Sequence, residues 1–276
     1  MKRLLSLALL VLLAGCGGAV LPQVHDEGGR LELARRLYAK GDATLAVEVL
    51  APFSTSGSGS GNVDEAVYLL GLCHLKLKDW LAAQGDFERL QRDYPESDSA
   101  ASAAFRRAEA LWGQSRGPDF DQEYTLKALE QWMSFRREHP DHWLAPEATR
   151  RIAEARLRLA TKLYRTGDLY VKLKDYGSAR SYFRNVLTEY SESSLYGDAL
   201  IGWAVATARL GQRDSALTVL REFEAENPGH PAAVKAAHTR EAMARWQIDA
   251  KPKRRHTTPN EPPPATSPGG VNGLTP

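Results

Sequence analysis

Few side chains of this 276-residue chain could carry out covalent or metal chemistry. Cys16 and Cys73 are its only cysteines, which is too few for a disulfide framework or a zinc cluster. Cys73 falls inside a helical pattern and reads as a buried core thiol, the usual fate of a free cysteine. His139-Pro140-Asp141-His142 places two imidazoles three residues apart. The proline between them breaks the helix that an H-x-x-E-H metal site requires, so helix-end and turn roles suit them better. Asp119 and Asp121 belong to a predicted loop, where solvated turn carboxylates are the ordinary case. There is no Gly-x-Ser-x-Gly elbow, no Cys-x-x-Cys pair and no phosphate loop. Sequence alone therefore implies no catalytic residue, no metal and no cofactor.

Cys16 is different in kind. It follows Met1-Lys2-Arg3, an apolar run from Leu4 to Leu13, and Ala14-Gly15. A basic start, a short apolar core and small residues describe a secretory signal peptide over residues 1–15, whereas a membrane span needs ~20 apolar residues. Leu13-Ala14-Gly15-Cys16 resembles the bacterial lipobox, in which cleavage precedes the cysteine and that cysteine carries acyl chains. At about 0.8 kcal/mol per buried CH2, several such chains hold a protein on a membrane. The alternative is an ordinary cleaved signal with an incidental cysteine. Gly17 follows, not the aspartate of inner-membrane retention, which favours the outer membrane. Loss of Lys2 and Arg3 with the leader leaves 34 basic and 34 acidic side chains. That balance argues against a general nucleic-acid binder.

The rest of the chain has to be read by its period. Leu70, Gly71, His74, Ala83, Phe87 and Pro95 fall on the L-G-x2-Y, A-x3-F, P template of the tetratricopeptide (TPR) helix pair, with His74 in the tyrosine position. Gly71 and Ala83 let two antiparallel helices approach, Phe87 fills the cleft, and Pro95 cannot continue the second helix. Ala34, Leu37, Ala46 and Leu50 make a first unit; Ala108, Leu111, Ala128, Trp132 and Pro140 make a third. Gly167, Tyr170, Ala179 and Phe183 make a fourth, with Ser191 where proline is expected, and Ala204, Ala216, Leu220 and Pro228 make a fifth. The expected fold is all-α: a TPR-type solenoid of about five helix pairs over residues 29–248, closed by a capping helix from Ala232 to Ile248. Residues 16–28 form a lipidated tether, Ser54–Gly61 a flexible linker, and residues 249–276 a disordered basic, proline-rich tail.

Three features depart from the template. Gln114–Gln122, broken by Gly117-Pro118, is about eight residues too long and predicts a protruding loop. Ser97 or Asp98 is the expected N-cap of the helix that precedes it. Leu144 to Lys174 reads as one long helix or two nearly coaxial ones, along which Arg151, Arg158, Arg165 and Lys172 recur every seven residues. Either this is a solvated face, with Glu147 and Glu154 pairing at i,i+4, or it is a docking surface for an acidic partner.

A lipobox, five TPR units, long inter-repeat intervals, an enlarged third turn and a long helix opening the fourth repeat resemble the BamD (YfiO, ComL) family of outer-membrane lipoproteins. The residues that carry the likeness include Tyr94-Pro95-Glu96-Ser97, Tyr124 to Leu129 and Leu159 to Tyr190. The resemblance implies a periplasm-facing scaffold without enzymatic activity. Its partners would be a BamA-like barrel-assembly protein, unfolded outer-membrane protein precursors and, through the acyl chains, the membrane, with no nucleic acid. Another envelope TPR lipoprotein, of pilus assembly or a CpoB-like division protein, stays open as the alternative. In TPR proteins the first helix of each pair lines the concave face. The inward positions are Leu31, Arg35 and Tyr38; Tyr68, Leu72 and Leu75; and Phe105, Glu109 and Trp112, a groove for an extended, aromatic-rich peptide or simply packed core. Arg35 is the expected partner of its terminal carboxylate. The fourth and fifth repeats are the expected dock for the membrane partner, with Arg180, Arg184 and the stripe of Arg151, Arg158, Arg165 and Lys172 as candidate contacts.

Overall fold

The computed structural model describes residue 24, residues 26–54 and residues 62–246. The leader, Cys16, most of the tether, the Ser/Gly linker and the basic tail lie outside the described residues. These contain eleven α-helices and no strand: α1 (Glu27–Lys40), α2 (Ala43–Leu50), α3 (Val63–Leu77), α4 (Trp80–Asp93), α5 (Ala100–Gln114), α6 (Glu123–Glu138), α7 (Ala145–Lys172), α8 (Tyr176–Glu189), α9 (Tyr196–Arg209), α10 (Arg213–Glu226) and α11 (Ala233–Ala244). The first ten form five antiparallel pairs, and α11 covers the last of them. No described helix is long and apolar enough to cross a membrane.

Within four of the five pairs one device makes the turn. Gly41, Lys78, Lys174 and Gly211 adopt left-handed backbone, with φ of 100, 61, 60 and 89°. Glycine tolerates this region freely, whereas lysine is disfavoured there by about 1 kcal/mol. The two lysine turns are the ones with a compensating cap. Asp79 accepts from the Ala82 amide at 3.2 Å, and Asp175 from the Ser178 amide at 3.1 Å. Asp42 and Gln212, after the glycines, make no side-chain cap.

Between pairs a second device recurs. Ser97, His142, Ser193 and His230 each accept from the backbone N–H two residues on, at 3.2, 3.1, 3.1 and 3.0 Å. Ser97 is therefore a turn residue and not the expected N-cap; Ser99 takes that position, without a side-chain bond. Ser191 replaces proline at no structural cost, because Tyr190 and Ser193 close the turn through their backbones.

Packing follows the small residues. A Cβ on Gly71 would lie 2.6 Å from the Phe87 ring, and one on Gly167 would lie 2.9 Å from Phe183, so both pairs close as the template requires. Successive first helices touch one another, α1 to α3 to α5 and α7 to α9 to α11, while the second helices stand apart. The stack therefore curls with the first helices on its inner wall. α7 is 28 residues long, about 42 Å. Pro146 sits in its first turn, where a missing N–H leaves no bond unmade. Its first half packs through Ala148, Ala155 and Leu159 on Trp132 and Phe135, and its second half through Ala160 on α8 and α9. One helix thus serves two neighbouring units, and α5 and α7 are held apart.

Candidate functional site

The inner wall is a relay of side chains from one first helix to the next. Arg35 on α1 bridges to Glu65 on α3, and Lys76 on α3 reaches back to the Tyr38 carbonyl at 3.2 Å, with its ammonium 4.8 Å from the Tyr38 ring centre. Tyr68 lies against Arg106 on α5, which holds Glu109 at 2.5 Å. Glu109 bridges to Arg151 on α7 at 3.2 Å. Two turns along α7, the Arg158 guanidinium stacks 3.5 Å from the centre of the Trp112 ring. These last two contacts span the wide gap between α5 and α7.

The sequence-derived groove residues divide into two sets. Leu31 and Phe105 are 2% and 0% exposed and belong to the core, so they present no surface to a peptide. Their inward positions point into the helix pair instead, Phe105 packing on Trp132 and Phe135. Tyr38, Tyr68, Leu72, Leu75 and Trp112 are partly buried at the edge of the two N-terminal cores and keep one side on the wall. Tyr68 lies 5.9 Å from Phe87 and Trp112 lies 5.8 Å from Trp132, so the core fixes both rings from behind. Burial raises the Tyr38 phenol above its ordinary pKa, so it stays a neutral donor.

Arg35 is not free. Glu65 and Glu32 both engage it, and the Glu65 hydrogen bond raises its pKa. The heptad stripe is likewise occupied from within. Arg151 bonds Glu109, Glu147 and Glu154; Arg165 bonds Asp119 at 2.7 Å; Lys172 bonds Asp168 at 2.7 Å. Arg158 bonds the Ser115 hydroxyl and the Arg116 carbonyl. Arg151 makes the i,i+4 pair with Glu147 that the sequence suggests, and the long 115–122 loop folds down onto Arg158 and Arg165, the latter still 53% exposed at the side chain. Gln122, 5% exposed, organises that loop by donating to the carbonyls of Gly117, Phe120 and Asp121. Length and Gly117-Pro118 disclosed the loop in the sequence. Nothing there disclosed that Arg158, Lys162 and Arg165 would bind it.

Arg158 differs from its neighbours electrostatically. Burial lowers its pKa, opposed only by Glu154 at a distance, whereas hydrogen-bonded carboxylates raise those of Arg35, Arg150 and Arg156. Cys73 is fully buried, and burial pushes its thiol up to about 11, which makes it inert at neutral pH. Among the described residues, no group of three or more His, Cys, Asp or Glu side chains could hold a metal. On α8, Arg180 hydrogen-bonds Gln212, the residue that precedes α10, at 3.0 Å, and Arg184 is exposed.

A family model described as YfiO, outer membrane lipoprotein, matches residues 21–222. Among curated proteins none matches the chain. Similar solved structures are repeat proteins. A thermophilic TPR protein of Thermus thermophilus has 19% identity and a TM-score of 0.36, covering 78% of this chain and 98% of that one. YrrB, a TPR protein with an unusual peptide-binding site, has 17% identity and a TM-score of 0.33, with 77% and 92% covered. A tetratricopeptide repeat protein from Parabacteroides merdae has 19% identity and a TM-score of 0.34, with 79% and 73% covered.

Proposed function

Because the chain belongs to the YfiO family of outer-membrane lipoproteins, whose match spans most of the solenoid, we propose that it is a non-enzymatic, BamD-like scaffold of β-barrel assembly. In this reading Cys16 carries the lipid anchor, and the solenoid stands on the periplasmic face. The inner wall of α1, α3 and α5 receives an extended, aromatic-rich segment of an unfolded outer-membrane protein. The observation that carries the reading is the row of Tyr38, Tyr68 and Trp112, each ring seated on the core and keeping one side on the wall. Pre-set aromatic faces bind apolar side chains without ordering cost, each anchor contributing ~1–3 kcal/mol when buried. The C-terminal pairs dock a BamA-like partner, with Arg180 and Arg184 of α8 as contacts.

The test is a titration of a synthetic, alternating, aromatic-ended peptide against the parent protein and a Tyr38→Ala, Tyr68→Ala, Trp112→Ala variant of matching circular dichroism. The variant is expected to lose binding; equal affinities would refute the wall assignment. Cys16→Ser should move the protein from the outer membrane to the soluble envelope fraction. Arg180→Glu with Arg184→Glu should weaken co-purification of the partner at unchanged helicity.

A further inference from the structure

Three cations gather where the wall opens between α5 and α7, and among the described residues none has a carboxylate at ion-pair distance. Arg116 lies over the Phe120 ring at 3.8 Å, Arg158 over Trp112 at 3.5 Å, and Lys162 donates to the Phe120 carbonyl at 2.6 Å. Elsewhere on the wall Arg35, Arg106 and Arg151 are neutralised by Glu65, Glu109 and Glu147. Arg158 uses Nη1 for Ser115 and Arg116, which leaves its Nε and Nη2 edge unpartnered among the described residues. That edge is one side of the planar fork that takes a carboxylate through two parallel hydrogen bonds. Stacking on Trp112 fixes the plane of the fork, so little side-chain freedom remains to be lost on binding. Phe120, 48% exposed, adds a second aromatic surface on the loop, beneath Arg116 and tied through its carbonyl to Lys162.

The loop also decides which carboxylate fits. Residues 115–122 are tied to α7 at Arg158, Lys162 and Arg165. They therefore lie against the wall just beyond Trp112, where a chain running along α1, α3 and α5 has to stop or turn away. A chain end fits this place better than an acidic side chain in mid-segment. Resting on the peptide-wall reading above, we propose that Arg158, stacked on Trp112, binds the C-terminal carboxylate of the client peptide while the last side chain packs between Trp112 and Phe120. Arg35, already shared between two glutamates, has no part in this.

The experiment compares one strand-forming peptide ending in phenylalanine, with a free carboxylate or as its amide, against the full chain and three variants. Loss of a charged hydrogen-bonding pair predicts about tenfold weaker binding of the amide to the parent protein. Arg158→Gln should bind both peptides equally, at the parent's amide affinity. Arg158→Lys, which keeps the charge and loses the fork, should retain part of the discrimination, and Arg35→Gln all of it. Peptide binding without discrimination by the parent, or full discrimination by Arg158→Gln, would overturn the carboxylate site and leave the aromatic wall standing. Binding of neither peptide to the parent would overturn both. Circular dichroism of Arg158→Gln and Arg158→Lys shows whether the loop latch matters to folding.

Discussion

The two halves of the inner wall are built on one helix-pair plan and carry opposite surfaces. From α1 to α5 the wall shows Tyr38, Tyr68 and Trp112, and the ion pair that ties α5 to α7 is half-buried: Glu109 and Arg151 are 17% and 23% exposed at the side chain. From the second half of α7 to α11 the matching positions are Tyr164, Asp168 and Val171, then Ile201, Val205 and Ala208. There the pair that links α9 to α11, Lys235 with Asp198, is largely exposed, as is Lys172 with Asp168 within α7. Ile201 is buried, and Val205 and Ala208 pack at the margin of the C-terminal core. The first half keeps three large rings on its surface and fixes Tyr68 and Trp112 from below; the second keeps one, Tyr164, seated on Phe183 at 5.6 Å, and puts the rest of its bulk into its core. Exposed aromatic surface and buried bulk are thus unevenly shared along a single solenoid, and α7 belongs to both halves.

The core contrast gives the largest expected effect. Phe87 fills the cleft beneath one glycine, Gly71, whereas Phe183 lies against two, Gly167 and Gly202, on successive first helices. Truncation of a fully buried aromatic costs about 3–5 kcal/mol. Phe183→Ala is expected at the upper end, because it unseats both α7 and α9, and Phe87→Ala at the lower. Hydrogen exchange should show each loss confined to its own half, as expected of units that contact only their neighbours. Equal, chain-wide loss of protection in both variants would mean that α7 couples the halves into one cooperative unit.

A smaller effect separates the two kinds of wall pair. Glu109→Gln leaves partly buried Arg106 and Arg151 short of a carboxylate across the α5–α7 gap and should cost about 2 kcal/mol. Asp198→Asn removes an exposed pair and should cost under about 1 kcal/mol. Urea midpoints for the two variants decide it, and a reversed order would break the distinction between a braced wall and a solvated one.

These differences show what the sequence could disclose. The pairs were legible because Gly71, Ala83, Phe87 and their counterparts are fixed by close approach, which leaves a residue type at a set interval. The turns between pairs were half legible. Pro95, Pro140 and Pro228 mark them, but the hydrogen bond that closes each one comes from Ser97, His142, Ser193 or His230, and no single residue type fills that place. The inward positions at Leu31 and Phe105 failed because a helix face about 100° wide has edges. Residues there turn into the pair, and the template does not separate edge from centre. Arg158 was visible as a member of a charged stripe; its stacking on Trp112 depends on where a 28-residue helix places it, which no local pattern encodes.

The smallest effect concerns pH, and here too the regions oppose one another. His74, in the tyrosine position of the second repeat, pairs with Asp86 at 2.6 Å, and that hydrogen bond raises its pKa above 6.5. Its contribution is fully present below pH 6.5 and is lost as pH rises through the folded value. His142, at the third-to-fourth repeat turn, is lowered from 6.5 by burial and by His139, and its Nδ1 accepts the Leu144 amide, so it has to stay neutral. Its contribution is fully present above pH 6.5 and is lost as pH falls toward the lowered value. In the parent the two trends offset each other. Each is expected to be on the order of 1 kcal/mol, the size of one hydrogen bond to a charged group or one left unmade. His74→Tyr restores the template residue and removes the first trend. His142→Ser keeps the turn bond that Ser97 and Ser193 make, and removes the second. Measured against the double variant as reference, between about pH 5.5 and about pH 8, His142→Ser should be stabilised on acidification and His74→Tyr destabilised. If both single variants track the double variant across that range, neither histidine is linked to folding, and the second-repeat pair and the third-to-fourth repeat turn do not differ in their response to protons.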